Sequence, residues 1–170
     1  IPGIDILLKE NQKQKIGNLE FDVIFVPGHT KGHIAFFFSK EKVAFTGDTL
    51  FSLGCGRIFE GTHEEMLNSL NKIKNLPPDT KIYCGHEYTK SNLNFCFTYD
   101  PNNAFLKERE IDVLKKLKSN QPTVPSTLDQ EIKTNIFLRC NDPEIKSTLG
   151  LNDSSEVEVF SKLRDLKDTF

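Results

Sequence analysis

The stretch FVPGHTKGH, from Phe25 to His33, places two histidines and two glycines directly after an apolar run. In the preceding segment, residues 19–25, large apolar side chains recur at every second position. That period of two predicts a strand with one buried face. Pro27 and Gly28 end the strand, so His29 is expected at its exit.

Two later segments repeat this arrangement. The segments KVAFTGD, 42–48, and KIYCG, 81–85, are predicted as strands, and they end beside Asp48 and His86. Strand ends at one edge of a sheet can direct side chains towards a common point, and the adjacent glycines leave room for them. Imidazole and carboxylate groups suit zinc, and also iron or manganese. The sequence therefore predicts a metal site formed by His29, Asp48 and His86.

Other interpretations of these residues compete with a metal site. A single histidine after a turn is more often a surface or hydrogen-bonded residue, and Asp48 could cap a loop. We expect His33 to orient a neighbour by a hydrogen bond and His63 to face solvent. A nucleophilic thiol is another alternative, either Cys84 with His86 as its base or Cys55 within GCG, but nothing nearby indicates a lowered thiol pKa. A buried structural cysteine is the favoured interpretation.

The second half of the chain is predicted to be mainly helical. Thr62 and Glu65 form a capping box for a first helix, which ends before Pro77. Later helices are predicted over 89–97, over 103–119 and in the last seventeen residues, with a Pro-rich connection at 121–127. We expect two domains, with residues 1–88 in the first and residues 89–170 in the second.

Composition narrows the classes of partner. The 170 residues carry 24 acidic and 22 basic side chains, so no net field favours nucleic acid or an anionic membrane. No apolar stretch approaches a membrane span of about 20 residues. The four cysteines show no CxxC pair, which argues against a disulfide framework and favours a reducing compartment. We expect a cytoplasmic location, with mitochondria or another organelle left open because the chain begins at Ile1 and an upstream part is expected.

Four segments carry a resemblance to a known family. PGHTKGH, FTGDTLFSLGCGRIFEGT, YCGHEYT and the terminal RDLKDTF together resemble glyoxalase II, the hydroxyacylglutathione hydrolases of the metallo-β-lactamase superfamily. GHTxGH and TGD are shared widely in the superfamily, whereas GCGRIFEGT, GHEYT and KDxF are more selective. The resemblance implies an α+β fold, namely the C-terminal portion of an αββα sandwich followed by a helical, glutathione-binding domain.

The resemblance also implies roles for individual residues. His29 resembles a ligand of a first metal, His86 a ligand of a second, and Asp48 a catalytic carboxylate that bridges both. The residues that resemble glutathione-binding positions are Arg57, Tyr88, Arg164 and Lys167. Phe59 stands where some relatives have tyrosine, so its role is expected to be limited to packing against the substrate.

The activity implied is that of a metal-dependent thioester hydrolase. The substrate class is glutathione thioesters such as S-D-lactoylglutathione, an intermediate of methylglyoxal detoxification, and the attacking group is a hydroxide that bridges two divalent metals. Zinc is expected, with iron or manganese as alternatives. The superfamily motif THxHxDH is expected upstream of Ile1, so these 170 residues alone are expected to bind metal weakly or not at all and to be inactive. They should also expose apolar sheet surface that invites self-association.

Two other functions stay open at this point. A mononuclear iron persulfide dioxygenase would also act on a glutathione derivative and would share GCGR. The segment EGT after Phe59 and the KDxF ending disfavour it. The other alternative is a degenerate, metal-free binding module.

Overall fold

A computed structural model describes residues 3–170 of the chain. The order of elements explains where the site lies, because each of three strands delivers one predicted ligand. The strands are β1 (Lys13–Ile16), β2 (Leu19–Phe25), β3 (Ile34–Phe38), β4 (Val43–Gly47), β5 (Leu50–Phe51), β6 (Gly54–Cys55), β7 (Lys81–Cys84) and β8 (Ser126–Thr127). The helices are α1 (His63–Lys74), α2 (Thr89–Tyr99), α3 (Ala104–Lys118), α4 (Leu128–Thr134), α5 (Pro143–Leu149) and α6 (Glu156–Asp168), with a 3₁₀ turn at Ile136–Leu138.

Six of these strands form one mixed sheet in the order β1-β2-β3-β4-β7-β8. Strands β1 to β4 pair antiparallel, β4 pairs parallel with β7, and β8 pairs antiparallel with β7. Strands β2, β4 and β7 consequently run in the same direction. Their carboxyl ends lie at one edge of the sheet, while β5 and β6 form a small separate hairpin beside it.

The two faces of the sheet are covered differently. One face carries Ala35, Ala44 and Ile82, which belong to the main hydrophobic core together with residues of the helices. The opposite face carries a smaller cluster around Phe21, Val23 and Phe38 and a row of aromatic rings. Three large apolar side chains of β2 and β4 remain 36–45% exposed, namely Leu19, Phe25 and Phe45. This surface has the character that the sequence predicted, and self-association through it stays a prediction.

The helical half packs onto the strand half through the same core. Phe95, Phe137 and Phe160 are fully buried in the cluster that also contains sheet residues. The capping box of α1 is present, with Thr62 and Glu65 in the predicted roles. Helices α2, α3 and α6 lie where helices were predicted, with shifts of a few residues at their ends. The predicted boundary after residue 88 stays a prediction.

None of the helices in the described part of the chain combines the length and hydropathy needed to cross a lipid bilayer. All four cysteines are free, as the absence of paired spacing predicted.

Candidate active site

Three strand exits converge at one edge of the sheet. His29 follows β2, Asp48 follows β4 and His86 follows β7, and these three strands are mutually parallel. The Nε2 atom of His29 lies 3.6 Å from Oδ2 of Asp48, and Nε2 of His86 lies 3.4 Å from Oδ1 of the same carboxylate. The predicted convergence is therefore present, with one imidazole facing each carboxylate oxygen.

Backbone contacts fix the tautomer of His29. Its Nδ1 lies 2.8 Å from the carbonyl oxygen of Arg57, and because a carbonyl only accepts, Nδ1 must carry the proton. In the neutral ring the lone pair is then on Nε2, the nitrogen that faces Asp48. A histidine whose outer nitrogen donates to a carbonyl has the orientation typical of a metal ligand.

Glycines are required around Asp48 because a side chain at these positions would collide with neighbouring atoms. A Cβ atom at Gly56 would lie 1.9 Å from the carbonyl oxygen of Asp48, and one at Gly85 would lie 2.8 Å from its Oδ1. Gly47 has a φ of +51°, and a Cβ there would lie 2.5 Å from Nε2 of His33. The glycines in TGD, GCG and CGH thus allow close approach of three loops around one carboxylate.

His33 orients Asp48 through the main chain. The backbone N–H of Asp48 donates to Nε2 of His33 at 2.9 Å, which confirms the predicted hydrogen bond. Burial lowers the pKa of His33, with a smaller opposing effect from the Asp48 carboxylate. The lowered pKa favours the neutral imidazole, the only form that can accept this bond. His63 is partly exposed and lies 3.2 Å from Asp165, which agrees with its expected position on the surface.

A cavity of about 550 Å³ opens beside the three predicted ligands. It brings together all eight residues that the sequence singled out, and their assigned roles stay predictions. The lining includes His29, Asp48, Arg57, Phe59, His86, Tyr88, Arg164 and Lys167. Groups that are 57 to 138 positions apart in the chain, such as His29, His86 and Lys167, therefore share one concave surface.

Two family models divide the chain between them. Residues 1–86 match the metallo-beta-lactamase superfamily, and residues 87–170 match the C-terminus of hydroxyacylglutathione hydrolase. The chain belongs to the hydroxyacylglutathione hydrolase family. This confirms the resemblance read from the four motifs, and with it the α+β class and the metallo-β-lactamase fold followed by a helical region.

Relatives agree with this assignment over the whole chain. The hydroxyacylglutathione hydrolase of Chelativorans sp. (strain BNC1) is 49% identical over 170 residues, which cover 100% of this chain and 67% of the relative. That of Pelagibacter ubique (strain HTCC1062) is 51% identical and is covered to 65%. The chain thus spans about two thirds of their length. The crystal structure of TTHA1623 in a di-iron-bound form superposes with a TM-score of 0.51 at 26% identity, over 77% of this chain and 47% of that one.

The donor types at this site of the hydroxyacylglutathione hydrolase family member suit a divalent metal. There are too few of them to complete the coordination of a metal ion. Oδ1 of Asp48 is buried and has no hydrogen-bond partner, although it lies between glycine backbone and an imidazole. An orphaned carboxylate oxygen of this kind is costly unless a cation neutralises it. Within residues 3–170, however, no group of three or more His, Cys, Asp or Glu side chains is arranged to hold a metal ion by itself.

Arg164 lines the cavity and is also held by contacts within the protein. It is only 3% exposed, and its Nη1 donates to the carbonyl oxygen of Cys55 at 2.8 Å. Its Nη2 donates to Oδ1 of Asp168 at 3.0 Å, and its guanidinium lies over the ring of Phe137. These contacts hold the Cys55–Gly56 turn against α6 and engage Nη1 and Nη2, whereas the buried Nε has no hydrogen-bond partner. Direct contact of Arg164 with a substrate stays a prediction.

The other basic side chains point more openly into the cavity. Arg57 is largely exposed, and its Nε lies 3.3 Å from Oδ1 of Asp168. Nζ of Lys167 donates to Oγ of Ser91 at 3.0 Å and lies 4.8 Å from the centre of the Phe170 ring. Burial, and then the charge of Arg164, lower the pKa of Lys167. A ligand carboxylate would offset both effects by supplying the missing negative charge.

Aromatic rings flank the two histidines. Tyr88 stacks on His86, with ring centres 5.1 Å apart and planes 18° apart. Phe59 is 69% exposed, and its ring centre lies 4.9 Å from that of His29. An exposed ring without a hydroxyl can offer a substrate only apolar contact, as the sequence suggested for Phe59.

Some lining residues were not anticipated. Phe51, Ser91, Asn92 and Phe170 also line the cavity. Phe170 lies within the RDLKDTF motif, which was a usable signal. Phe51 and Asn92 carried no sequence signal of a role in the cavity. An apolar residue shortly after TGD and an asparagine in a helix are common both in cores and on surfaces.

The thiol alternative loses its geometric support. Sγ of Cys84 lies 3.2 Å from the carbonyl oxygen of His86, and no hydrogen bond joins it to the imidazole. Burial raises the pKa of Cys84 and that of Cys55. Neither thiol has the thiolate character that a nucleophile needs near neutral pH.

Proposed function

We propose that the protein hydrolyses glutathione thioesters, such as S-D-lactoylglutathione, to a 2-hydroxy acid and glutathione. The observation that carries the proposal is the meeting of His29, Asp48 and His86 at the floor of a cavity whose rim is cationic. Membership of the hydroxyacylglutathione hydrolase family supports the same substrate class. The proposal concerns the whole protein, of which this chain covers about two thirds by comparison with its relatives.

The proposed cofactors are two divalent metals, zinc or alternatively iron or manganese. His29 would hold one, His86 the other, and Asp48 would contact both through its two oxygens. Bound metals supply Lewis-acid chemistry, which polarises a carbonyl and makes water more acidic. These three donors leave each centre short of the four that zinc normally takes, so further ligands belong to the proposal.

The chain's own residues prepare this chemistry before a substrate arrives. The Arg57 carbonyl keeps the proton of His29 on Nδ1, so that Nε2 stays free for coordination. His33 holds the Asp48 backbone, and glycines keep its carboxylate clear of side chains. The site is thus preorganised, which lowers the reorganisation needed when charge develops on the thioester oxygen.

The peptide half of the substrate would be held at the cavity rim. Glutathione carries two carboxylates and one ammonium, and Arg57 and Lys167 offer the matching positive charges. Tyr88 is 51% exposed and can present its hydroxyl to the peptide, while the exposed ring of Phe59 would offer the substrate an apolar packing surface. Such contacts supply proximity between the thioester and the metal-binding side chains.

The test is an assay of thioester hydrolysis with metal-loaded full-length protein. We expect free thiol to be released from S-D-lactoylglutathione, and Asp48→Ala to lower kcat by about 10³-fold because the carboxylate between both histidines is lost. Metal content measured alongside should fall in the same variant. Asp79→Ala, which removes an exposed carboxylate paired with Lys42, serves as the matched control and should keep wild-type activity.

Two outcomes would contradict the proposal. Fully metal-loaded wild-type protein that releases no thiol would exclude the hydrolase. Oxygen consumption with glutathione persulfide, in place of thioester cleavage, would identify the dioxygenase instead.

A further inference from the structure

The hairpin formed by β5 and β6 is held in place by side chains from the helical half. Its turn contains Leu53, which has a φ of +60°, a conformation that residues other than glycine rarely adopt. The carbonyl oxygen of Ser52 accepts from Asn92 at 3.0 Å. The carbonyl oxygens of Phe51 and Gly54 both accept from Nδ2 of Asn135, at 3.2 and 3.0 Å. Because the turn is strained, these contacts are needed to keep it in one conformation.

Glu131 of α4 lies at the centre of this arrangement and is fully buried. Its Oε2 accepts from the backbone N–H of Leu53 at 2.8 Å and from Asn135 at 3.1 Å. Its Oε1 accepts from Nη2 of Arg109 at 3.0 Å, and the same nitrogen donates to Oγ of Ser52 at 3.1 Å. A buried carboxylate with an arginine partner and two further donors is satisfied, whereas removal of either member of the ion pair would leave an unpaired charge.

The hairpin forms part of the cavity wall. Phe51, which is almost completely buried, packs edge-on against the rings of His86 and Tyr88, at 6.1 and 5.5 Å between centres. Cys55, at the other end of the hairpin, is followed by Gly56 and then Arg57. A shift of the hairpin would therefore move neighbours of a predicted metal ligand and of predicted substrate-binding residues together.

We propose that Glu131, charge-paired with Arg109, is a positioning residue that fixes the β5–β6 hairpin and through it the packing of Phe51 against His86 and Tyr88. The inference rests on the proposed function for its kinetic consequence. Glu131 itself touches neither cavity nor substrate; it acts through the Leu53 N–H and the turn.

The test compares Glu131→Gln with a matched disruption elsewhere. Glutamine has the same shape, but one of its two terminal atoms is a donor, so either Leu53 or Arg109 loses its acceptor. Asp100→Asn is the control, because Asp100 is likewise buried, pairs with Arg139 and does not line the cavity. Both variants should lose stability in chemical denaturation. Only Glu131→Gln should lower kcat/KM, by about 10- to 100-fold, at a temperature where both are folded.

A second readout separates this inference from the proposed hydrolysis. The chain has four histidines, so the ring proton signals in an NMR spectrum are few and His86→Gln assigns one of them. The His86 signal lies in the ring-current field of Phe51, and we expect it to shift in Glu131→Gln and to stay in place in Asp100→Asn. This measurement decides the inference even if the wild-type protein proves inactive on thioesters.

A double variant, Glu131→Met with Arg109→Met, covers the case in which Glu131→Gln fails to fold. Replacing both members of a buried ion pair by apolar groups is often tolerated, but the Leu53 N–H would still lack its acceptor. We expect a folded protein with a shifted His86 signal and low kcat/KM. A double variant, or Glu131→Gln itself, with wild-type signal and wild-type kcat/KM would overturn the inference.

Discussion

The two walls of the cavity are built in different ways. The strand wall presents His29, Asp48 and His86 directly from strand ends, and backbone atoms and glycines set their positions. The helix wall presents Lys167 from α6, and Arg57 reaches it from the loop after β6; side-chain contacts with Ser91 and Asp168 hold these two cations. The strand wall is stiff because main-chain atoms are packed closely around its side chains. The second can adjust, since exposed side chains move at low cost.

The strongest way to break the strand wall is Gly56→Ala. A Cβ atom there would meet the carbonyl oxygen of Asp48 at 1.9 Å, and that neighbour is backbone, so it cannot move alone. We expect a loss of about 3 kcal/mol in the free energy of unfolding, measured by urea denaturation. Gly32→Ala, where an added Cβ meets nothing within 4 Å, is the control and should change stability by less than about 0.5 kcal/mol. Equal effects at both positions would contradict the stiffness of this wall.

Arg164→Met tests the buried arginine of the helix wall. The change removes the side-chain donor of the Cys55 carbonyl and one of the two arginine partners of Asp168, so we expect a loss of about 2 kcal/mol in the free energy of unfolding together with a raised KM. Arg57→Gln is the exposed counterpart: it should raise KM similarly and alter stability by less than about 1 kcal/mol. If Arg57→Gln proved the more destabilising of the two, the contrast between a buried anchor and an adjustable rim would be wrong.

Thiol labelling tests whether the buried cysteines are unreactive in the folded protein, and it is the prediction with the smallest expected effect. Burial raises the pKa of each cysteine, to about 12 for Cys96, so thiolate should be scarce at neutral pH and become available only as the pH rises. We expect fewer than one of the four thiols to react with iodoacetamide within minutes at pH 7.5, and all four to react after denaturation in urea. Rapid labelling of Cys84 in the folded protein would reopen the thiol mechanism.

Sequence patterns predicted the strand wall well. A period-two apolar segment located β2 and short apolar runs located β4 and β7, and the glycine beside each exit indicated where close packing would occur. Their parallel direction follows once the sheet is formed, so convergence could be anticipated from three motifs. The hydrogen bond of His33 was also predicted, although its partner was not: the acceptor imidazole faces the Asp48 backbone.

The sequence predicted which residues belong to the helix wall, but it did not indicate how each of them is held. Arg164 was assigned to the substrate because its motif resembles a binding site, and that role stays a prediction. The structure adds that Arg164 is buried against the Cys55–Gly56 turn. Nothing in a linear pattern of basic residues distinguishes a guanidinium that anchors a loop from one that faces a ligand. Glu131 gave no signal at all, since one glutamate in a short helix normally faces solvent.

The sequence by itself determined which residue types stand at strand exits, because apolar periodicity and glycine spacing are local properties of the chain. The tertiary structure alone decided which charges are buried and which remain free. Burial depends on what packs against a side chain from distant segments, as Leu53 of the hairpin meets Glu131 across 78 positions. A contact between such distant positions cannot be read from the local sequence. The energy of a buried charge depends on the groups that the fold places around it.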